Sequence, residues 1–300
     1  MAAFVAVFSS VGALAAHDFW LVPNAFQVAA GDTVAVLGQT SSRFPTTESA
    51  VATDRVAEAR IIGAASDVRI SDLSIHGKSL RLRARPSVAG QYVVTATLHW
   101  RSMRESAESF RRYLRLEGAP AALERIDRER LLSGRDSVTR RYAKYAKTLI
   151  QVGDGGGRTY SRIAGHPLEF VPDRDPAALR AGDTLPVRLL FQSRPLAGLR
   201  VHASAVEWTG DAIPEHPRET AKDAAFVTDA NGAIRVPITS AGLWNVRTIQ
   251  IAQSSSGSGA DWDAHWATLV FLIGLPNSST TSASSDSAVV ASVVKAYDRA

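Results

Sequence analysis

Of the seven histidines in the chain, His17 stands where one residue can present two metal-binding nitrogens. Residues 1–16 are almost wholly apolar or small and end in Ala13-Leu14-Ala15-Ala16, the small-residue signature of a signal-peptidase site. Cleavage after Ala16 makes His17 the first mature residue, with a free α-amine beside its imidazole. That donor pair suits Cu²⁺, Ni²⁺ or Co²⁺. The A-x-A rule is met better one residue earlier, which would leave Ala16 ahead of His17. No basic stretch opens the segment, so the true start can lie upstream of Met1. The plainer reading of His17 is a first-strand residue bonded to Asp18 or to backbone. As a ligand it is expected to use ring and amine together, with Asp18 orienting the ring and Phe19, Trp20 and Leu21 anchoring the strand in the core.

His99 is the preferred partner. In the stretch 91–100, Tyr92, Val94, Ala96, Leu98 and Trp100 share one parity, which predicts a half-buried antiparallel strand with His99 on its other face. The remaining histidines rank lower. His76 sits in a turn, His216 in the polar loop 214–217, and His202 on a strand surface between Val201 and Ala203. His166, in Gly165-His166-Pro167, is a weaker ligand. No histidine pair has the His-x-His or His-x₃-His spacing of a preorganised site. With no cysteine and two methionines, soft ligands are nearly missing.

Covalent catalysis is poorly served. A cysteine nucleophile is impossible and no Gly-x-Ser-x-Gly elbow occurs. Glu105 and Glu108 read as the solvated face of a charged helix. Asp261-Trp262-Asp263, with Trp244 and Trp266, makes either an aromatic-acidic rim or a cap at the start of a strand. Arg111, Arg112, Arg140 and Arg141 either bind an anion or are ordinary exposed arginines.

The elements that must carry these residues follow from patterning. At 45 % hydrophobic and 21 % charged, with no cysteine, the chain can bury a core without disulfides. Short apolar runs between turn residues predict a mainly β protein of two Ig-like antiparallel sandwiches. The expected plan is a signal peptide over 1–16 and an N-terminal sandwich over 17–153. A C-terminal sandwich over 160–275 and a disordered Ser/Thr/Ala-rich tail over 276–300 follow. A helical insertion falls at about 105–147. Phe110, Tyr113 and Leu114 end at Gly118, Leu123, Ile126 and Leu131 end at Gly134, and Val138, Tyr142, Tyr145 and Leu149 suggest a third helix. Gly153-Asp154-Gly155-Gly156-Gly157 reads as a flexible break between the domains. The positive charge is concentrated in residues 101–147, whose 13 basic and 7 acidic side chains give a net +6 against +5 for the whole chain. No aromatic-interleaved basic strand accompanies it, so no nucleic-acid partner is expected. The leader is shorter than the roughly 20 apolar residues a span needs, so the mature protein is expected not to span a membrane.

A set of motifs running in order through the chain carries a resemblance. They begin with His17-Asp18-Phe19-Trp20-Leu21-Val22-Pro23, Glu108-Ser109-Phe110, and Arg141-Tyr142-Ala143-Lys144-Tyr145-Ala146-Lys147. Leu168-Glu169-Phe170-Val171-Pro172, Gly182-Asp183-Thr184, Thr228-Asp229-Ala230-Asn231-Gly232, Gly242-Leu243-Trp244 and Asp261-Trp262 complete it. Over residues 17 to about 273 it resembles a bacterial exported NikM-like family (domain of unknown function 4198), long labelled the periplasmic component of a cobalt/nickel uptake system. The resemblance implies Ig-like sandwiches, an extracytoplasmic location and, through that label, metal handling. His265 replaces an aromatic usual in that family, which argues against its carrying a shared site. The expected class is therefore an exported, periplasmic, non-enzymatic binding or accessory protein for nickel, cobalt or copper. A membrane metal transporter or outer-membrane receptor is its expected partner. The alternatives are a structural envelope module without metal and a copper-dependent oxidase using an N-terminal histidine.

Overall fold

The computed structural model describes residues 17–208 and 217–274. The expected leader, the loop of His216 and the expected tail lie outside these residues. The described chain is mainly β, a layered sandwich with two short α-helices.

β1 (Asp18–Pro23), β2 (Gln27–Val28), β3 (Val34–Ser41), β4 (Val56–Ile62) and β5 (Asp67–Arg69) come first. The hairpin β6 (Asp72–His76) and β7 (Ser79–Ala84) leads to β8 (Gly90–Leu98) and β9 (Arg101–Ser106). Helices α1 (Ala107–Leu116) and α2 (Pro120–Arg128) precede the long β10 (Ser137–Val152). The second half holds β11 (Leu168–Pro172), β12 (Thr184–Phe191), β13 (Arg194–Pro195) and β14 (Arg200–Val206). It ends with β15 (Glu219–Val227), β16 (Ala233–Pro237), β17 (Gly242–Gln253) and β18 (Trp262–Ile273).

A ten-stranded sheet forms the middle layer, in the order β15-β14-β17-β18-β10-β8-β4-β5 with β2 and β9 beside β10. On one face lies the sheet of β11, β12, β13 and β16, closing a core of Leu168, Phe170, Val187, Trp244, Leu269 and Phe271. The other face holds the sheet β1-β3-β7-β6 and the two helices. Phe19 and Leu21 of β1 pack with Val94 and Ile150, while Trp20 and Val22 pack with Leu243, Val270 and Leu272. The large sheet therefore curls around β1, which lies in a trough with both faces buried. Farther along the trough, Phe110, Tyr113 and Leu114 of α1 close a third core over Tyr142, Trp262 and Trp266.

Two helices form as the spacing predicts. Ser106 caps α1, its hydroxyl accepting from the Ser109 N–H at 3.0 Å, and Gly118 ends it at a φ of 67°. The third expected helix is instead strand β10. Central in the sheet and covered on both faces, β10 needs no apolar–polar alternation, so its buried residues fall by chance at helical spacing. β8 is likewise buried on both faces rather than half-buried. Trp100 lies past its end and packs under the Arg141 guanidinium, 4.5 Å from the ring centre. The glycine run is no slack hinge: a Cβ on Gly155 would lie 2.6 Å from the Ala89 backbone. The Gln151 amide also donates to the Gly155 carbonyl at 2.6 Å.

Candidate metal centre at the head of the first strand

Among the described residues β1 pairs along one edge, with β3. An edge strand buried in a trough leaves backbone carbonyls in need of donors. Side chains from the trough floor supply them. The Thr268 hydroxyl of β18 donates to the Phe19 carbonyl at 2.6 Å, and the Lys144 ammonium of β10 donates to the carbonyl of His17. The head of the strand is thus fixed by a buried lysine that is 3 % exposed.

The ring of His17 is fixed from the other side. Glu48 Oε2 faces its Nε2 at 3.3 Å. Glu48 is itself held: its Oε1 accepts from the Ser41 hydroxyl at 2.9 Å and from the Ser42 N–H at 3.3 Å. The Ser41 bond is the main reason its carboxyl titrates below the usual range. An ionised carboxylate on Nε2 selects the tautomer with hydrogen there and leaves the Nδ1 lone pair free. His17 Nδ1 is buried and has no partner among the described residues.

Asp18 does not take the orienting role expected of it. Neighbours in a strand point to opposite faces, so its side chain faces Arg247, 3.5 Å away. Burial pushes its pKa up, against the pull of Arg247 and Lys144. Lys144 is held down to about 8 chiefly by burial, and Glu117, beyond the end of α1, is pushed up to about 7 by burial and by Asp18. Arg247 also binds Asp223 at 3.0 Å, and Asp223 binds His202 at 2.9 Å. A chain of polar contacts thus runs from the half-exposed His202 through Asp223 and Arg247 to Asp18.

The other candidates fall elsewhere. His99 is exposed just past β8, its N–H donating to the Arg55 carbonyl at 2.8 Å, and none of the described contacts of His17 involves it. His76 is exposed. His166 and His265 are buried next to Tyr145, with ring centres 5.6 and 5.9 Å from it, and His265 Nδ1 lies 3.0 Å from the Tyr145 hydroxyl. Glu105 is not a solvated helix residue. It lies on β9 and binds the buried Arg140 at 3.0 Å. Arg111 pairs with Asp127 and Arg141 with Asp263. Asp261 caps Thr139 N–H at 2.7 Å. Trp262 and Trp266 pack under the helices while Trp244 belongs to the opposite core, so these tryptophans form no common rim. Among the described residues no group of three or more His, Asp or Glu side chains gathers around one point.

Glu48 and Lys144 were not singled out as site residues in the sequence. Glu48 sits in an ordinary polar stretch, and Lys144 in a segment of helical spacing. The one available signal was a lysine set between Tyr142 and Tyr145.

Fold and site define a layered β-sandwich whose first described strand is wedged into a trough, apolar on both faces, with polar donors along its open edge. The chain belongs to the family described as Domain of unknown function (DUF4198), whose model matches residues 14–252. No curated protein matches it in sequence. Among solved structures it is similar to a DUF4785 family protein from Legionella pneumophila, at 10 % identity and TM-score 0.23, over 75 % of this chain and 51 % of that one. The Yersinia pseudotuberculosis adhesin InvE follows at 11 % identity and TM-score 0.21, over 85 % and 58 %. Salmonella alpha-2-macroglobulin stands at 10 % and 0.21, over 84 % and 14 %. The chain thus spans little more than half the length of the first two.

Proposed function

We propose that this chain is an exported, non-enzymatic binding protein that carries a divalent transition metal, nickel, cobalt or copper, at His17. The observation that carries the reading is the orphaned Nδ1. Glu48 occupies the other ring nitrogen, and Nδ1 is the one that closes a six-membered chelate with the α-amine of the same residue. Cleavage after Ala16 creates that amine. Two nitrogen donors suit metals late in the first-row affinity order, and Glu48, held by Ser41 and Ser42, is the outer partner such an imidazole needs. Two donors from one residue leave most of the coordination sphere to water or to a receiving partner, as suits a metal in transit toward a membrane transporter or outer-membrane receptor. The nickel/cobalt label implied by the resemblance noted in the sequence names the same class of cargo.

Two measurements test it. N-terminal sequencing of the exported protein should return His17 as its first residue; a start at Ala16 removes the amine. Titration calorimetry of the processed protein with Cu²⁺, Ni²⁺ and Co²⁺ should then give binding that His17→Ala weakens at least tenfold, about 1.4 kcal/mol. Equal affinity in the variant places the metal elsewhere.

A further inference from the structure

We infer that Lys144 is the positioning residue of the His17 site, its ammonium clamping the backbone so that amine and Nδ1 meet a metal in one fixed geometry. This rests on the metal reading above, and it names the part of the molecule that makes the site rigid.

The geometry is specific to the head of β1. The edge of that strand away from β3 has no strand partner among the described residues, and the floor of the trough holds it through the side-chain donors Lys144 and Thr268. Thr268 acts at Phe19, inside the strand, where the core already fixes the chain. Lys144 acts at the carbonyl of His17, the residue whose other atoms are the donors, ahead of β1 itself. A chelate through the α-amine and Nδ1 hangs from the Cα of His17, so holding that peptide anchors the atom from which both nitrogens project. Lys144 is 3 % exposed, and its neighbours leave its ammonium little freedom. The Trp266 and Tyr142 ring centres lie 5.5 and 5.7 Å away. Asp18 of β1, Glu117 beyond α1, Arg140 of β10 and Arg55 are the charged groups around it. Burying an ammonium is costly unless it is paired and hydrogen-bonded. A threonine satisfies the neighbouring carbonyl without that cost, so stability alone does not call for a lysine here.

The test compares Lys144→Met, which keeps the length and apolar bulk but loses the donors, with Thr268→Val on the same edge. In Lys144→Met, Cu²⁺ affinity by calorimetry should fall at least tenfold and the copper EPR parameters should change. Thr268→Val should lower the melting temperature while leaving the EPR spectrum as in the wild type. A Lys144→Met protein that binds Cu²⁺ with wild-type affinity and spectrum overturns the inference. If the wild type itself binds no metal, the His17 reading fails instead, and hydrogen exchange still tests the clamp. The Asp18 and Phe19 amides should then exchange at least tenfold faster in Lys144→Met, and unchanged exchange overturns it. Should Lys144→Met fail to fold, ¹⁵N NMR of the unaltered protein decides: Zn²⁺ must shift the Lys144 ammonium resonance, and an unmoved resonance overturns the inference.

Discussion

At the scale of single residues, burial sets the charge states that matter. His166 and His265 are held neutral chiefly by loss of solvent, which lowers their pKa from 6.5 to about 3 and about 4. A group with a depressed folded pKa stabilises the fold fully above its unfolded value, and that stability is lost as the pH falls toward the folded one. Both histidines therefore make stability rise with pH between about 4 and 6.5. Glu117, raised from 4.5 to about 7, acts oppositely over 4.5 to 7, one proton against two. His265→Phe should flatten the acid branch by up to about 1.4 kcal/mol per pH unit, read from urea midpoints between pH 4.5 and 6. An unchanged slope would mean that the imidazole is charged in the folded protein. Residue identity alone pointed to His17, because its place after an apolar segment is a local fact. Its ring partner Glu48 and its clamp Lys144 come from distant parts of the chain, and no local pattern announces such a meeting.

At the scale of elements, the glycine run and β10 show where local patterning misleads. Glycine reads as slack, yet Gly155 is needed because the Ala89 backbone passes too close for a side chain. Gly156 has open space at the same position. Gly155→Ala should thus cost about 1–3 kcal/mol, as overpacking does, while Gly156→Ala should stay within about 0.5 kcal/mol. Chemical denaturation of the two variants measures this, and equal small effects would restore the picture of a loose linker. α1 was legible because amphipathic spacing and a terminal glycine agree. The strand β10 was not, since a strand buried on both faces has no alternation to read. β1 was legible in part: the apolar run Phe19 to Val22 marks a core strand, but not that it is wedged in a trough.

At the scale of the molecule, the two halves expected from sequence share one sheet. β10 of the first half runs parallel to β18 of the second over the register from Arg140↔Trp262 to Thr148↔Val270. A parallel pair needs a long crossover, and here the whole second half supplies it. Lys147 of β10 and Glu169 of β11 add an ion pair at 2.9 Å, with side chains 1 % and 0 % exposed, across the same junction. Alternating apolar runs made the β class legible, but sheet order depends on pairings between distant strands that carry no local mark. Unfolding in urea should be a single transition, coincident by tryptophan fluorescence and circular dichroism. The fragments 17–153 and 160–274, made separately, should fail to fold, since each would expose one side of the β10–β18 ladder. Two separated transitions would show that the halves are independent.

The central claim is that His17 offers its free Nδ1 to a metal while Glu48 holds Nε2. Pulsed EPR of the processed protein with one equivalent of Cu²⁺ reads this directly, because the uncoordinated nitrogen of a bound imidazole modulates the electron spin echo. The account predicts modulation from one imidazole in the wild type and its loss in His17→Ala. Identical modulation in the two proteins would contradict it.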